Sequence, residues 1–256
     1  MKSHLPKTNQ SKPHAAISIR SSSAKTVQVA RRVVGQSRVR FDYTVTMAIL
    51  IFDLDGTLVD TSPLVLPAFR RALSAFPGTP VPSEDVMRKT FGLPDAEIWR
   101  VLMPNAGEEE RNAAFHLSER FVCEAMGHAD VLLPHARDVL KALRDDGHTL
   151  TVASNCGPAY LEAVLTTQNI GQYFTEPLCL GGIGGRSKAD ILARHVRRFG
   201  RAGAWMIGDR KSDVEAAQQT GIPAIGCRFG FGDPEELEGA QAVIHDLREL
   251  LSLFPG

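Results

Sequence analysis

Two aspartates stand two residues apart in the string Phe52-Asp53-Leu54-Asp55-Gly56-Thr57-Leu58-Val59-Asp60, directly after the apolar run 48–52. On extended backbone, residues two apart point to the same side. A pair of acids aimed together at the end of a buried strand is costly unless a metal ion or a cationic partner compensates them. Gly56 and Thr57 then permit a sharp turn. A lone Asp-x-Asp is commonly a pair of solvated turn acids; here the apolar run directs both at one spot.

Three further apolar runs end in polar groups. Ser154 and Asn155 follow one of them, a hydroxyl and an amide that suit an anion, with an Asn cap for a helix over 157–167 as the alternative. Lys188 follows the glycine-rich stretch 181–185 and opens a helix; alone it reads as a solvated residue, and the glycines do not complete a GxGxxG string. Asp209 and Asp213 follow Ile207-Gly208. They share a face if a helix starts there, and acids favoured by the helix dipole are the plainer reading of each by itself. Together the four ends offer four acids, a hydroxyl, an amide and an ammonium. Carboxylates supply the oxygen ligands that Mg²⁺ takes. The remaining donors suit phosphate oxygens, and an Asp can be the nucleophile of a covalent phosphoryl intermediate.

The elements that must position these groups are legible as short apolar runs at 48–52, 150–153, 178–180, 204–207, 224–227 and 242–244. Such runs are what buried parallel strands require. Helical patterns separate most of them: Val139, Leu140 and Leu143 before Gly147; Ile191, Leu192, His195 and Val196; Val214 and Ala217 before Gly221. Strands alternating with helices predict an α/β fold with a doubly wound parallel sheet. The long stretch between the first two strands reads as helix alone, at about 62–76, 83–90, 95–103 and 107–126. The expected organisation is therefore a core of 47–61 and 133–256 with a helical cap at 62–132, seated over the carboxyl ends of the strands, where ligands bind in this architecture.

Composition narrows the class. Of 256 residues, 43% are hydrophobic, which excludes a wholly disordered chain. No apolar run approaches the length of a membrane span. Cys123, Cys156, Cys179 and Cys227 are scattered, which argues against a disulfide scaffold or zinc module and fits the cytoplasm. The balance of 29 bases and 29 acids conceals an asymmetry: residues 1–46 hold nine bases and one acid, leaving 20 bases and 28 acids for 47–256. The basic, Ser-rich segment 1–46 has no large apolar cluster and is expected to be disordered. It fits an organelle transit peptide or an arm for nucleic acid; the preferred reading is a dispensable extension with Met47 as the natural start, because periodic sequence begins there.

These residues resemble the haloacid dehalogenase-like superfamily of phosphatases, over essentially all of 47–256. Its four motifs stand in order: Asp53-Leu54-Asp55-Gly56-Thr57, Ser154-Asn155, Lys188, and Gly208-Asp209 with Asp213. The first is highly specific, and the second and third mean little without it. The helical insertion looks like a C1-type cap. Asp60-Thr61-Ser62-Pro63, Phe91-Gly92-Leu93-Pro94 and Gly221-Ile222-Pro223 resemble the phosphoglycolate phosphatase-like group. The resemblance implies that Asp53 attacks phosphorus and that Asp55 protonates the leaving oxygen and then activates water. It implies that Thr57, Ser154, Asn155 and Lys188 bind the phosphoryl group. It also implies that Mg²⁺ is held by Asp53, the backbone carbonyl of Asp55, and Asp209, with Asp213 close by. Two departures stand out: Ala189 follows Lys188 where many relatives have Pro, and Pro134-His135 replaces a common Pro-Gly.

The expected substrate is a small phosphorylated metabolite, a phosphoglycolate-like or sugar phosphomonoester, with neither nucleic acid nor membrane as partner and no oligomeric state implied. Phe91, Gly92 and Leu93 are the candidate specificity residues, against the alternative of an ordinary helix connection. Arg88, Lys89, Arg100 and His116 are candidates to meet an anionic substrate tail, and His135 to face the entrance. A phosphomutase is the alternative within the same chemistry, disfavoured by Thr57. A dehalogenase would leave Asp55 without a use, and a phosphonatase needs a cap lysine for which only Lys89 is present in 62–132. A non-catalytic binding protein is disfavoured because every expected chemical group is intact.

Overall fold

The computed structural model describes residues 47–256; the basic segment 1–46, with its expected disorder, lies outside the described residues. In chain order the main elements are β1 (Ile49–Phe52), α1 (Ser62–Leu73), α2 (Glu84–Arg88), α3 (Asp95–Leu102), α4 (Glu108–Met126), α5 (Ala136–Asp145) and β2 (Thr149–Ser154). There follow α6 (Pro158–Thr167), β3 (Leu178–Cys179), α7 (Leu180–Ile183), α8 (Lys188–Phe199) and β4 (Ala204–Gly208). The chain ends with α9 (Lys211–Thr220), β5 (Ala224–Cys227), β6 (Ala242–Ile244) and α10 (Glu249–Leu253).

The strands form one sheet in the order β3-β2-β1-β4-β5-β6, and every pairing is parallel. Side chains alternate along each strand. Leu50, Phe52, Leu150, Val152, Trp205 and Ile207 therefore face one layer, with α5, α6 and α10. Ile51, Ala153, Ala204 and Met206 face the other, packed on Ile191 and Leu192 of α8 and Val214 and Ala217 of α9. This two-sided burial is why the strands read as continuous apolar runs. From β1 the chain winds outward to β2 and β3 on one side and to β4, β5 and β6 on the other. The carboxyl ends of β1 and β4 thus flank the point where strand order reverses, which is where such sheets bind ligands.

Helices α1 to α4 fill the stretch between β1 and β2 and share a cluster of their own, including Leu66, Phe69, Leu73, Met87, Trp99, Leu102 and Ala114. The outgoing and returning chains run side by side. Asp60 N donates to the Val131 carbonyl at 2.8 Å, and Leu133 N to that of Leu58 at 2.9 Å.

Two local expectations are corrected. The stretch 181–185 is not all loop, because Leu180–Ile183 makes one helical turn, closed by Gly184 at φ +59°, and the strand expected to reach Leu180 stops at Cys179. Asp209 does not share a helix face with Asp213, since α9 begins only at Lys211 and Asp209 stays at the end of β4. His135 is exposed at φ +67°, in the left-handed region. Glycine enters that region freely, whereas a residue with a Cβ does so rarely.

Candidate active site

The four strand ends do converge. Asp53 follows β1 and its backbone N–H donates to the Ile207 carbonyl of β4 at 2.8 Å. Its Oδ1 accepts from Leu54 N at 2.8 Å, and its Oδ2 lies 2.8 Å from Lys188 Nζ. Lys188, the first residue of α8, is buried and also meets Asp213 Oδ1 at 2.5 Å. Burial pulls the Lys188 ammonium down, but Asp213 and Asp53 outweigh it and hold the pKa above the usual lysine value. A buried ammonium between two buried carboxylates is compensated, as a buried charge must be.

Asp209 completes the acidic cluster. Asp53, Asp209 and Asp213 each offer an oxygen within 4.8 Å of the others, and all three are buried. Asp209 Oδ2 accepts from Phe231 N at 2.7 Å and Gly232 N at 3.2 Å. Burial, then Asp53 and Asp213, push Asp209 up to about 7; burial and Asp53 push Asp213 up to about 6. With Lys188 the only cation among the described residues to pair with these three carboxylates, the cluster has charge to spare for a divalent ion. Its donors are oxygen alone, with no thiolate or imidazole, which suits Mg²⁺. Gly56, at φ +77°, lies in the turn that follows β1, and a Cβ there would overlap the Asp209 carboxylate.

Asp55 is held apart from this cluster. Its Oδ1 accepts from Thr61 Oγ1 and from Tyr160 Oη, each at 2.6 Å. Burial raises its pKa to about 6, against the opposing pull of those two hydroxyls. A carboxyl poised there can exist in both protonation states near neutrality, as a group that gives and takes a proton requires. Tyr160 carries no motif signal. It lies on the first turn of α6, and only the docking of that helix brings its phenol to Asp55.

The expected phosphate ligands divide. Ser154 and Lys188 line the cavity above Asp53. Asn155 lines it too, and one N–H of its Nδ2 donates to the Gly92 carbonyl at 2.9 Å, tying the strand end to the helical insertion. It does not cap α6 either, whose cap is Gly157. Thr57 is fully buried, donates to Asp209 Oδ1 at 3.3 Å and is not on the cavity wall.

Phe91, Gly92 and Leu93 do line the cavity. They are pinned to the core by Asn155, by a hydrogen bond from Arg210 Nη1 to the Phe91 carbonyl, and by the Phe91 ring 5.1 Å from that of Phe231. Arg210 in turn is held by Glu236 at 2.9 Å. The proposed tail-binding cations are elsewhere. Arg88, Lys89, Arg100 and His116 are exposed, Arg88 pairs with Glu84, and none of the four lines the cavity. Neither does His135. The cavity holds about 100 Å³. Its wall also contains Asp95 and Glu119, acids that no sequence pattern singles out from other helix-surface acids.

A parallel doubly wound sheet with a buried lysine and a buried acidic cluster at its strand ends has the α/β architecture in which ligands bind at the carboxyl ends of the strands. Residues 50–227 match the haloacid dehalogenase-like hydrolases, and the chain belongs to that family. It is 28% identical to the phosphoglycolate phosphatase of Shigella boydii serotype 4 (strain Sb227), across 78% of this chain and 89% of that protein. A predicted phosphatase from Clostridium acetobutylicum superposes with a TM-score of 0.71 at 25% identity, covering 81% of this chain and 97% of the other. A predicted phosphoglycolate phosphatase from Haemophilus somnus 129PT shares the fold at TM-score 0.75 and 21% identity, over 82% and 99% of the two chains. Among the described residues no helix is long and apolar enough to cross a membrane.

Proposed function

We propose that the protein is a Mg²⁺-dependent phosphatase that hydrolyses a small phosphomonoester through an aspartyl-phosphate. The observation that carries this reading is the placement of Asp53 between Lys188 and the Asp209–Asp213 pair, with the separately held carboxyl of Asp55 on the same cavity. A carboxylate oxygen of Asp53 attacks phosphorus as the ester P–O bond breaks, and Asp55 gives its proton to the departing oxygen. Asp55 then takes a proton from water, whose oxygen bonds to phosphorus as the bond between phosphorus and the Asp53 oxygen breaks, freeing inorganic phosphate and the Asp53 carboxylate. Asp53, Asp209, Asp213 and the Asp55 backbone carbonyl would hold Mg²⁺, which offsets the charge that repels a carboxylate from a phosphate dianion. Ser154 and Lys188 bind the transferring group. The helices α1 to α4 act as a cap that hinges on the paired segments at 58–60 and 131–133 and excludes water when closed. The protein works in a reducing compartment such as the cytoplasm, with its four cysteines as thiols.

The full chain should release inorganic phosphate from 4-nitrophenyl phosphate with Mg²⁺ present. Absence of release across a pH range and several divalent ions would reject the phosphatase reading. Phosphate retained on Asp53 until a sugar phosphate is added would point to a phosphomutase instead.

Tyr160→Phe should shift the pH profile in a defined direction. The Tyr160 hydroxyl stabilises the ionised form of Asp55 and lowers its pKa, so its loss raises that pKa. The acid in the first step must be protonated, and its rate falls as pH rises through its pKa. The descending limb of kcat/KM should therefore move to higher pH by roughly half a unit to one unit. A limb that stays in place would show that Tyr160 serves packing alone.

A further inference from the structure

The helical insertion turns two carboxylates onto the cavity wall. Asp95 opens α3 and Glu119 lies within α4, and both line the wall. They converge on Gly157, where a Cβ would stand 2.7 Å from Glu119 Oε1 and 3.8 Å from Asp95 Oδ2. Neither carboxylate has a hydrogen-bond or ion-pair partner among the described residues. Asn155, only 8% exposed, adds a third acceptor. Its Nδ2 donates to the Gly92 carbonyl, which can only accept, so the amide orientation is fixed and Oδ1 is left buried without a partner. A buried acceptor without a donor is costly, and a ligand that brings a donor relieves it.

Among the described residues Lys188 is the only cation on the cavity wall, and Asp53 and Asp213 already engage it. Phe69, Trp99 and Phe115 supply aromatic surface beside the two acids. Ring faces attract ammonium groups. Burial, then Glu119 and Asp55, push Asp95 up to about 7, so the wall carries more acid than it can comfortably ionise. A substrate with a carboxylate tail would have one anionic end at Lys188 and the other against two carboxylates and an amide oxygen. An ammonium tail brings three N–H donors and the opposite charge.

We propose that the leaving group of this enzyme's substrate carries a protonated amine, received by Asp95, Glu119 and Asn155 Oδ1, and that the same wall rejects a carboxylate. This deepens the phosphatase reading above and rests on it.

Three phosphomonoesters of equal chain length separate the possibilities: O-phosphoethanolamine, 2-hydroxyethyl phosphate and phosphoglycolate, with 4-nitrophenyl phosphate as the control for phosphatase chemistry. For the full chain with Mg²⁺, kcat/KM for the amine should exceed that for the carboxylate by about tenfold or more, with the hydroxyl compound between them. Asp95→Asn and Glu119→Gln should each narrow the ratio, and the double variant should bring it close to one. A carboxylate compound within tenfold of the amine, a neutral compound hydrolysed best, or a ratio that survives the double variant would overturn the proposal. If 4-nitrophenyl phosphate is not hydrolysed, the phosphatase reading fails. Calorimetric titration with the same three compounds then decides the wall by itself: amine tightest upholds it, and no preference or carboxylate tightest overturns it.

Discussion

Asp53→Asn is expected to reduce turnover of 4-nitrophenyl phosphate by more than about 10³-fold, the scale seen when a covalent nucleophile is removed. Asp53 is fixed at both oxygens, Oδ1 by Leu54 N and Oδ2 by Lys188 Nζ, each at 2.8 Å, so the reactive carboxylate is preoriented. An amide keeps the shape and loses the anionic oxygen that must bond to phosphorus. The fold should survive, because Lys188 retains Asp213 at 2.5 Å and is not left as an uncompensated buried charge. Acid-quenched enzyme should carry trapped phosphate when native and none in the variant, and the circular dichroism spectra should superpose. Turnover within tenfold of native would remove Asp53 from the role of nucleophile.

Chelation should abolish activity and Mg²⁺ should restore it, with an affinity that depends on pH in a direction the acidic cluster dictates. Burial and mutual repulsion raise Asp209 to about 7 and Asp213 to about 6 from the usual 3.8. Both must be ionised to hold the ion, so binding releases protons below these values. Affinity for Mg²⁺ should therefore climb between about pH 5 and 7, by up to about tenfold per pH unit for each proton released, and level off above. The same shifts bear on stability without metal. A folded-state pKa raised above the unfolded value means that the native state keeps its protons longer. The contribution of these two groups then falls as pH rises from about 4 to about 7. Titration calorimetry at pH 5.5, 6.5 and 7.5 and melting temperatures with and without Mg²⁺ would check both. Full activity in a chelated sample, or an affinity that ignores pH, would contradict the assignment.

By itself the sequence determined the sheet and its chemical edge. Runs such as 48–52 and 204–207 are apolar on every residue because both faces of the sheet are covered, and that signal is local. The polar residues that end those runs had to emerge on one side of the sheet, since all its strands are parallel. Asp53, Asp55, Ser154, Lys188, Asp209 and Asp213 were visible for that reason, as was the helical insertion from its period.

Tertiary structure decided which groups face which. Thr57 and Asn155 sit where the motifs put them, yet one donates to Asp209 and the other to Gly92, because side-chain direction after a strand depends on what the neighbouring strand and the insertion present. Asp209 left the helix that periodicity offered it, since strand pairing of Gly208 with Gly226 carries β4 further than its apolar run. Tyr160 looks like any residue of an amphipathic helix until α6 docks, and Asp95 and Glu119 look like solvated helix acids until their helices turn them onto Gly157. Patterns along a chain report the burial of each residue in turn. Convergence of residues from separate elements depends on how those elements pack, and a linear period carries no record of it.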